Sequence, residues 1–425
     1  MNPIHTQKQE EFSEAQAMEP GTIQPGVSSP EEGSPVPGIS RNVFILGITS
    51  FLTDLSSEIV YPLVPLFLTS VLGAPFAVVG LIEGIAESTA STLKVFSGWL
   101  SDRMRRRKPL TILGYGISTA SKPVLAAATV WPIVLIGRFI DRLGKGVRTA
   151  PRDALIADCT DASCRGRVFG FHRAMDTSGA ALGALLAVVA LGVIGERYRL
   201  IFLLATIPGV LGVVSLFFIR ERVHPHSGPA LPKLSLSQFD RKFKLFLLAS
   251  AVFFIGNSSD AFLILRAKNL GLTAFAAVLA YVVYNLVYAA FSMPAGSLSD
   301  RIGRRRVISA GFVIFSLVYL GFAFAGSSIL VWPLFAVYGL YMAMTEGVGK
   351  AFAADMAQPH VRGTALGTYN TVTGLLTFFS SLIAGVLWDA IGPGAPFVFG
   401  AASGLLATVI LLTALKERVP TNPSG

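Results

Sequence analysis

The chain of 425 residues is 52% hydrophobic and only 14% charged, where soluble domains usually carry about 25% charged residues. So little polar surface excludes a water-soluble globule of this size. The net charge of +10 does not point to nucleic acid, because Lys and Arg cluster in short loops between apolar runs.

Residues 1–40 contain Glu10, Glu11, Glu14, Glu19, Glu31 and Glu32 among many Pro, Ser and Gly, and hold no apolar segment. They are expected to form a disordered cytoplasmic tail, dispensable for the fold, rather than a signal peptide. Twelve apolar segments follow, near 43–72, 76–101, 109–129, 131–158, 166–194, 198–219, 244–268, 273–299, 307–326, 329–357, 363–391 and 395–415. Each is long enough to cross a hydrocarbon core of about 30 Å as a helix. The longest gap, between Arg220 and Arg241, contains Pro225, Pro229 and Pro232 and reads as a linker. Its His224 and His226 lack the further ligands a metal site needs. Cys159 and Cys164 build no disulfide framework and are expected to be reduced thiols. The expected organisation is a tail (1–40), a six-helix half (41–220), a cytoplasmic linker (221–243), a second six-helix half (244–418) and a short tail (419–425). This is an all-α membrane protein of twelve transmembrane helices. Basic residues follow every second span, which puts both termini in the cytoplasm, with a bacterial inner membrane as the expected location and a monomer as the expected state.

The same charged turn is written twice. Gly98, Leu100, Asp102 and Arg103 lead into Arg105, Arg106, Arg107 and Lys108; Gly296, Leu298, Asp300, Arg301 and Gly303 lead into Arg304, Arg305 and Arg306. Arg165-Gly166 and Gly170 recur as Arg362-Gly363 and Gly367, and Ala157-Asp158 recurs as Ala354-Asp355. Ser56-Ser57-Glu58 is matched by Ser258-Ser259-Asp260. The near-constant offset indicates an internal duplication.

Ionisable residues inside membrane spans are costly, and each calls for a partner or a role. Asp54 and Glu58 lie four residues apart on one helix face, as do Glu83 and Glu87 in the next span. These carboxylates can bind a cation, carry protons, or be neutralised by bases on other helices. The fourth span holds Arg138, Asp141, Arg142, Lys145, Arg148 and Arg152; Arg148 and Arg152 are expected to snorkel toward the cytoplasm. The fifth offers His172, Arg173 and Asp176, with His172 expected as a hydrogen-bonded structural residue. Asp260 and Glu346 are the candidates of the later spans. Tyr281, Tyr284 and Tyr288 share a helix face and suit packing as well as substrate contact. Spans six, nine and twelve carry essentially no charge in their cores.

Twelve helices, a central loop and this turn resemble the major facilitator superfamily, whose signature reads roughly G-x-L-x-D-[RK]-x-G-[RK]-[RK]. The second copy fits from Gly296 to Arg305, while Arg105 replaces the second glycine in the first. The resemblance implies the major facilitator fold and a secondary transporter working by alternating access, with no cofactor and no enzymatic activity. It implies a cytoplasmic gate at Gly98, Asp102, Arg103, Gly296, Asp300, Arg301, Gly303 and Arg304. It also implies proton coupling through an arginine of the fourth span, Arg138 or Arg142, and the candidates for transport or proton coupling are Asp54, Glu58, Glu83, Glu87, Arg138, Asp141, Arg142, Asp176, Asp260 and Glu346. Partners would be membrane lipid, protons and a small-molecule or metal-ion substrate, with no nucleic acid. The run Gly80-Leu81-Ile82-Glu83-Gly84-Ile85-Ala86-Glu87, with Gly144-Lys145-Gly146-Val147-Arg148, is further similar to the nickel-resistance permeases of that superfamily. That similarity implies export of a divalent metal such as nickel or cobalt. Efflux of an organic compound or drug is the alternative, and a non-transporting membrane sensor is the reading from another class.

Overall fold

The computed structural model describes residues 39–104, 107–159, 165–221, 239–357 and 362–414. Among them every regular element is a helix. The expected tails, Arg105, Arg106, Cys164 and the pair His224 and His226 lie outside the described residues, as do the side chains of Asp102 and Arg103.

The first set of helices begins with α1 (Arg41–Val60), whose N-terminus is capped by the Ser40 hydroxyl accepting from the Val43 N–H. A short turn at Tyr61–Leu63 leads into α2 (Val64–Ser70). Pro62 and Pro65 stand at helix starts, where a missing N–H forfeits no intrahelical bond. Then come α3 (Phe76–Met104), α4 (Lys108–Ala126), α5 (Trp131–Asp158), α6 (Arg165–Ile194), α7 (Tyr198–Leu204) and α8 (Thr206–Ser215). The second set is α9 (Arg241–Phe254), α10 (Ala261–Asn269), α11 (Ala274–Ile302), α12 (Arg304–Phe324), α13 (Val331–Asp355), α14 (Arg362–Ala390) and α15 (Ala395–Ala414).

Nine helical stretches among the described residues have the length and apolarity to cross a membrane. The other expected spans depart from that standard for visible reasons. α5 is laden with charge from Arg138 to Arg152, and α4 holds Lys108, Lys122 and many Ser, Thr and Gly. The seventh expected span, 244–268, is not continuous. The helix stops after Phe254 and resumes at Ala261. Packing against α15 accompanies the break: a Cβ on Gly256 would come within 2.4 Å of the Ser403 Cβ and 2.9 Å of the Gly400 Cα. The Ser259 N–H leaves the helix ladder and donates to the Ser381 hydroxyl at 3.2 Å.

α3 and α14 pack backbone to backbone, which only glycine allows at the contact. A Cβ on Gly80 would lie 2.1 Å from the Ser381 carbonyl oxygen, and one on Gly385 would lie 2.4 Å from that of Phe76. The buried Arg266 of α10 caps the end of α12 by donating to the carbonyls of Phe322 at 2.9 Å, Ala323 at 3.3 Å and Ala325 at 3.2 Å. Leu203, Ile207 and Leu211 on α7–α8, Leu317 on α12 and Leu406 on α15 are exposed. Apolar outer faces of this kind suit lipid rather than water. They belong to the spans expected to lack charge, so the charged residues gather inside.

Candidate functional site

Two cavities lie where the helix sets meet. The first, of 240 Å³, is bounded by α3, α9, α12, α13 and α14, and Glu87, Lys94, Asn257, Glu346, Lys350 and Asn370 are among its polar groups. Aromatic rings of α9, α12, α13 and α14 make up much of the remaining wall. The second, of 190 Å³, is bounded by α1, α4, α5, α6 and α11, and brings together Asp54, Glu58, Asp141, Arg142, Lys145 and Asp176.

Most of the intramembrane acids are neutralised by bases from other helices. Arg138 grips the fully buried Glu83 with two nitrogens, at 3.1 and 2.8 Å. Lys122 pairs with Asp141 at 2.8 Å, and the Ser118 hydroxyl donates to the same carboxylate at 2.7 Å. Arg142 reaches from the second cavity to Glu87 of the first at 3.4 Å. Arg148 pairs with Asp54 at 3.5 Å and lies over the Tyr115 ring, 4.4 Å from its centroid. Asp176 takes Arg173 at 3.0 Å, Arg152 at 3.8 Å and the Ser50 hydroxyl at 2.7 Å. Glu346 pairs with Lys350 one turn along α13. Such pairs offset the cost of removing each charge from water.

Two acids near the centre, Glu58 and Asp260, have no ion pair among the described residues. Glu58 accepts a hydrogen bond from the Tyr281 hydroxyl at 3.3 Å, across the junction of the two sets. Asp260 accepts one from Tyr338 at 2.7 Å. Tyr61 stands between them and the arginines: its ring lies 5.3 Å from the Arg138 guanidinium, 5.8 Å from that of Arg142 and 5.9 Å from the Tyr281 ring.

A chain of hydrogen bonds between the two sets runs from this centre toward one end of the molecule. Ser259 donates to Glu83 at 3.5 Å and approaches the Tyr61 hydroxyl at 3.5 Å. Further out, the Asp389 carboxylate at the end of α14 accepts the free N–H groups of Phe76 at 3.1 Å and Ala77 at 2.7 Å, at the start of α3. Trp388 stacks on Phe76 at 4.5 Å, and Lys268 donates to the Ser70 hydroxyl at 2.7 Å. At the opposite end lies the second copy of the charged turn. Arg304 joins Asp300, at 3.1 Å, to Asp355 at the end of α13, with Gly303 at φ 97° making the turn. Arg301 is exposed and Gly296 has open space around it.

The sequence-level candidates therefore divide. Asp54, Glu58, Asp141, Arg142 and Asp176 share one cavity, Glu87 and Glu346 share the other, and Glu83 with Arg138 forms a sealed pair beside them. Arg148 does not snorkel: it is buried, held by Asp54 and Tyr115, while Arg152 turns to Asp153 at 2.8 Å and to Asp176. His172 is buried, but its Nε2 finds no hydrogen-bond partner. Lys94, Lys122 and Asp355 were not singled out as site residues by the sequence reading. Lys94 follows Glu87 by seven residues on one helix face, which is a usable signal; Asp355 stood in the repeated Ala-Asp pair.

A helical bundle with apolar outer faces, paired charges inside and a central cavity defines a multi-pass membrane transporter. The chain belongs to the Major Facilitator Superfamily, whose family model matches residues 46–277 and 245–425. It is 37% identical over 380 residues to an uncharacterized MFS-type transporter of Methanocaldococcus jannaschii, covering 88% of this chain and 95% of that one. It is 23% identical over 334 residues to the multidrug resistance protein MdtH of Photorhabdus laumondii, covering 77% and 82%. The fold matches the crystal structure of the nucleoside transporter NupG with a TM-score of 0.73 at 14% identity, over 89% of this chain and 100% of that one.

Proposed function

We propose that this transporter is a proton-coupled exporter of an organic compound. It works by alternating access between two six-helix halves, α1–α8 and α9–α15, which together make twelve spans. The observation that carries this reading is the aromatic-walled cavity between the halves. A confined space lined by rings, with a few polar groups, suits an organic body rather than a bare ion. With the basic turns on the cytoplasmic side, the end closed by Asp389, Trp388 and Lys268 is the outer one. The cavity then loads from the cytoplasm, as export requires. Likeness to the multidrug resistance protein MdtH supports the same direction.

Export of nickel or cobalt is the second reading, favoured by the run from Gly80 to Glu87. In this fold the two acids of that run are occupied by Arg138 and Arg142. Among the described residues no three His, Cys, Asp or Glu side chains converge as metal ligands. The test is uptake into proteoliposomes under an imposed pH gradient. Gradient-driven accumulation of fluorescent aromatic compounds, without accumulation of nickel or cobalt, is expected. Gradient-driven accumulation of either metal alone would reverse the order of the two readings.

A further inference from the structure

Four charged side chains line the aromatic cavity: Glu87, Lys94, Glu346 and Lys350. Both acids are already matched. Glu346 is held by Lys350, and Glu87 is taken by Arg142, a cation that lies in the other cavity, at 3.4 Å. Lys94 is exposed to the cavity, and its ammonium meets no carboxylate and makes no hydrogen bond among the described residues. With Arg142 paired to Glu87 and Lys350 to Glu346, Lys94 is the one of the four left without an ion pair among the described residues. An ammonium confined without a counter-ion is costly until a negative group shares the space. The facing rings are fixed: Phe246 and Tyr369 lie nearly parallel with centroids 5.6 Å apart, and Phe253 and Phe312 lie parallel at 3.9 Å. They offer flat surfaces for another ring.

We infer that Lys94 selects the transported compound, and that this compound is an aromatic organic anion whose carboxylate pairs with the Lys94 ammonium while its ring lies against the aromatic wall. The inference rests on the proposed export of an organic compound and names its charge.

Three probes with one ring system and different charge test it: 2-naphthoate, 2-naphthamide and 2-naphthylmethylammonium. Their binding to the purified full-length protein is followed by calorimetry. Naphthoate is expected to bind about tenfold more tightly than the neutral amide, with the ammonium weakest. Lys94→Gln should bring naphthoate down to the level of the amide, and an unchanged thermal melting curve of the purified variant shows that it is folded. Lys94→Arg should keep the preference. Tightest binding of the ammonium, or an unchanged naphthoate preference in Lys94→Gln, would overturn the inference. Equal binding of all three probes would overturn it while leaving the organic cavity standing. Failure of all three to bind would remove both readings.

Discussion

Glu58 differs from its neighbours by what it lacks. Asp54, Glu83, Glu87, Asp141 and Asp176 each have an arginine or lysine within 4 Å, whereas Glu58 has only the Tyr281 hydroxyl. Among the described residues no ion pair competes with a proton for this carboxylate, and its hydrogen-bond partner lies on α11 of the other helix set. Glu58→Gln is expected to abolish transport driven by a pH gradient while preserving substrate counterflow, which moves no net proton. Both assays in proteoliposomes, at matched protein content, check this; gradient-driven transport at the wild-type rate would exclude Glu58 as the coupling group. The acids themselves were legible in the sequence, because charge inside an apolar run stands out. Their partners were not. Lys122 meets Asp141 and Arg148 meets Asp54 through packing of α4 on α5 and α5 on α1, and no spacing along the chain encodes those encounters.

Among the elements, the junction of α3 with α14 ties the two helix sets together at the end away from the basic turns. Two N–H groups at the start of α3 have no intrahelical partners, and Asp389 at the end of α14 accepts from both. A carboxylate at a helix N-terminus contributes about 1 kcal/mol at an exposed site. Its loss would change the open population at this end roughly fivefold. Asp389→Ala is therefore expected to speed labelling of Ala74→Cys, a position buried at the same end, by a thiol reagent that cannot cross membranes. The background would carry Ser at Cys159 and Cys164. An unchanged labelling rate would show that the cap does not hold this end shut. Helix positions in general were readable from apolar runs, and most expected spans reappear with ends shifted by a few residues. The break between α9 and α10 was not anticipated, although Gly256, Asn257, Ser258, Ser259 and Asp260 are residue types that favour turns. What accompanies it is contact with α14 and α15, at Ser381, Gly400 and Ser403.

For the whole molecule, the apolar runs and the repeated charged turn made a multi-pass membrane protein of this family legible in the sequence. The cavity between the helix sets was legible only as an uneven distribution of charge among spans. Its aromatic wall was hidden, since Phe246, Phe312 and Tyr369 look like ordinary apolar residues of their own helices. Alternating access requires that the closed end open as the opposite end closes. Distances between spin labels measure this directly, with one pair at Val71 and Phe275 near the closed end and another at Leu100 and Leu298 near the basic turns, all exposed positions. In lipid nanodiscs, acidification or added substrate is expected to lengthen the first distance in the same population in which the second shortens. Two distances that stay fixed under every condition, or that lengthen together, would contradict alternating access in this protein.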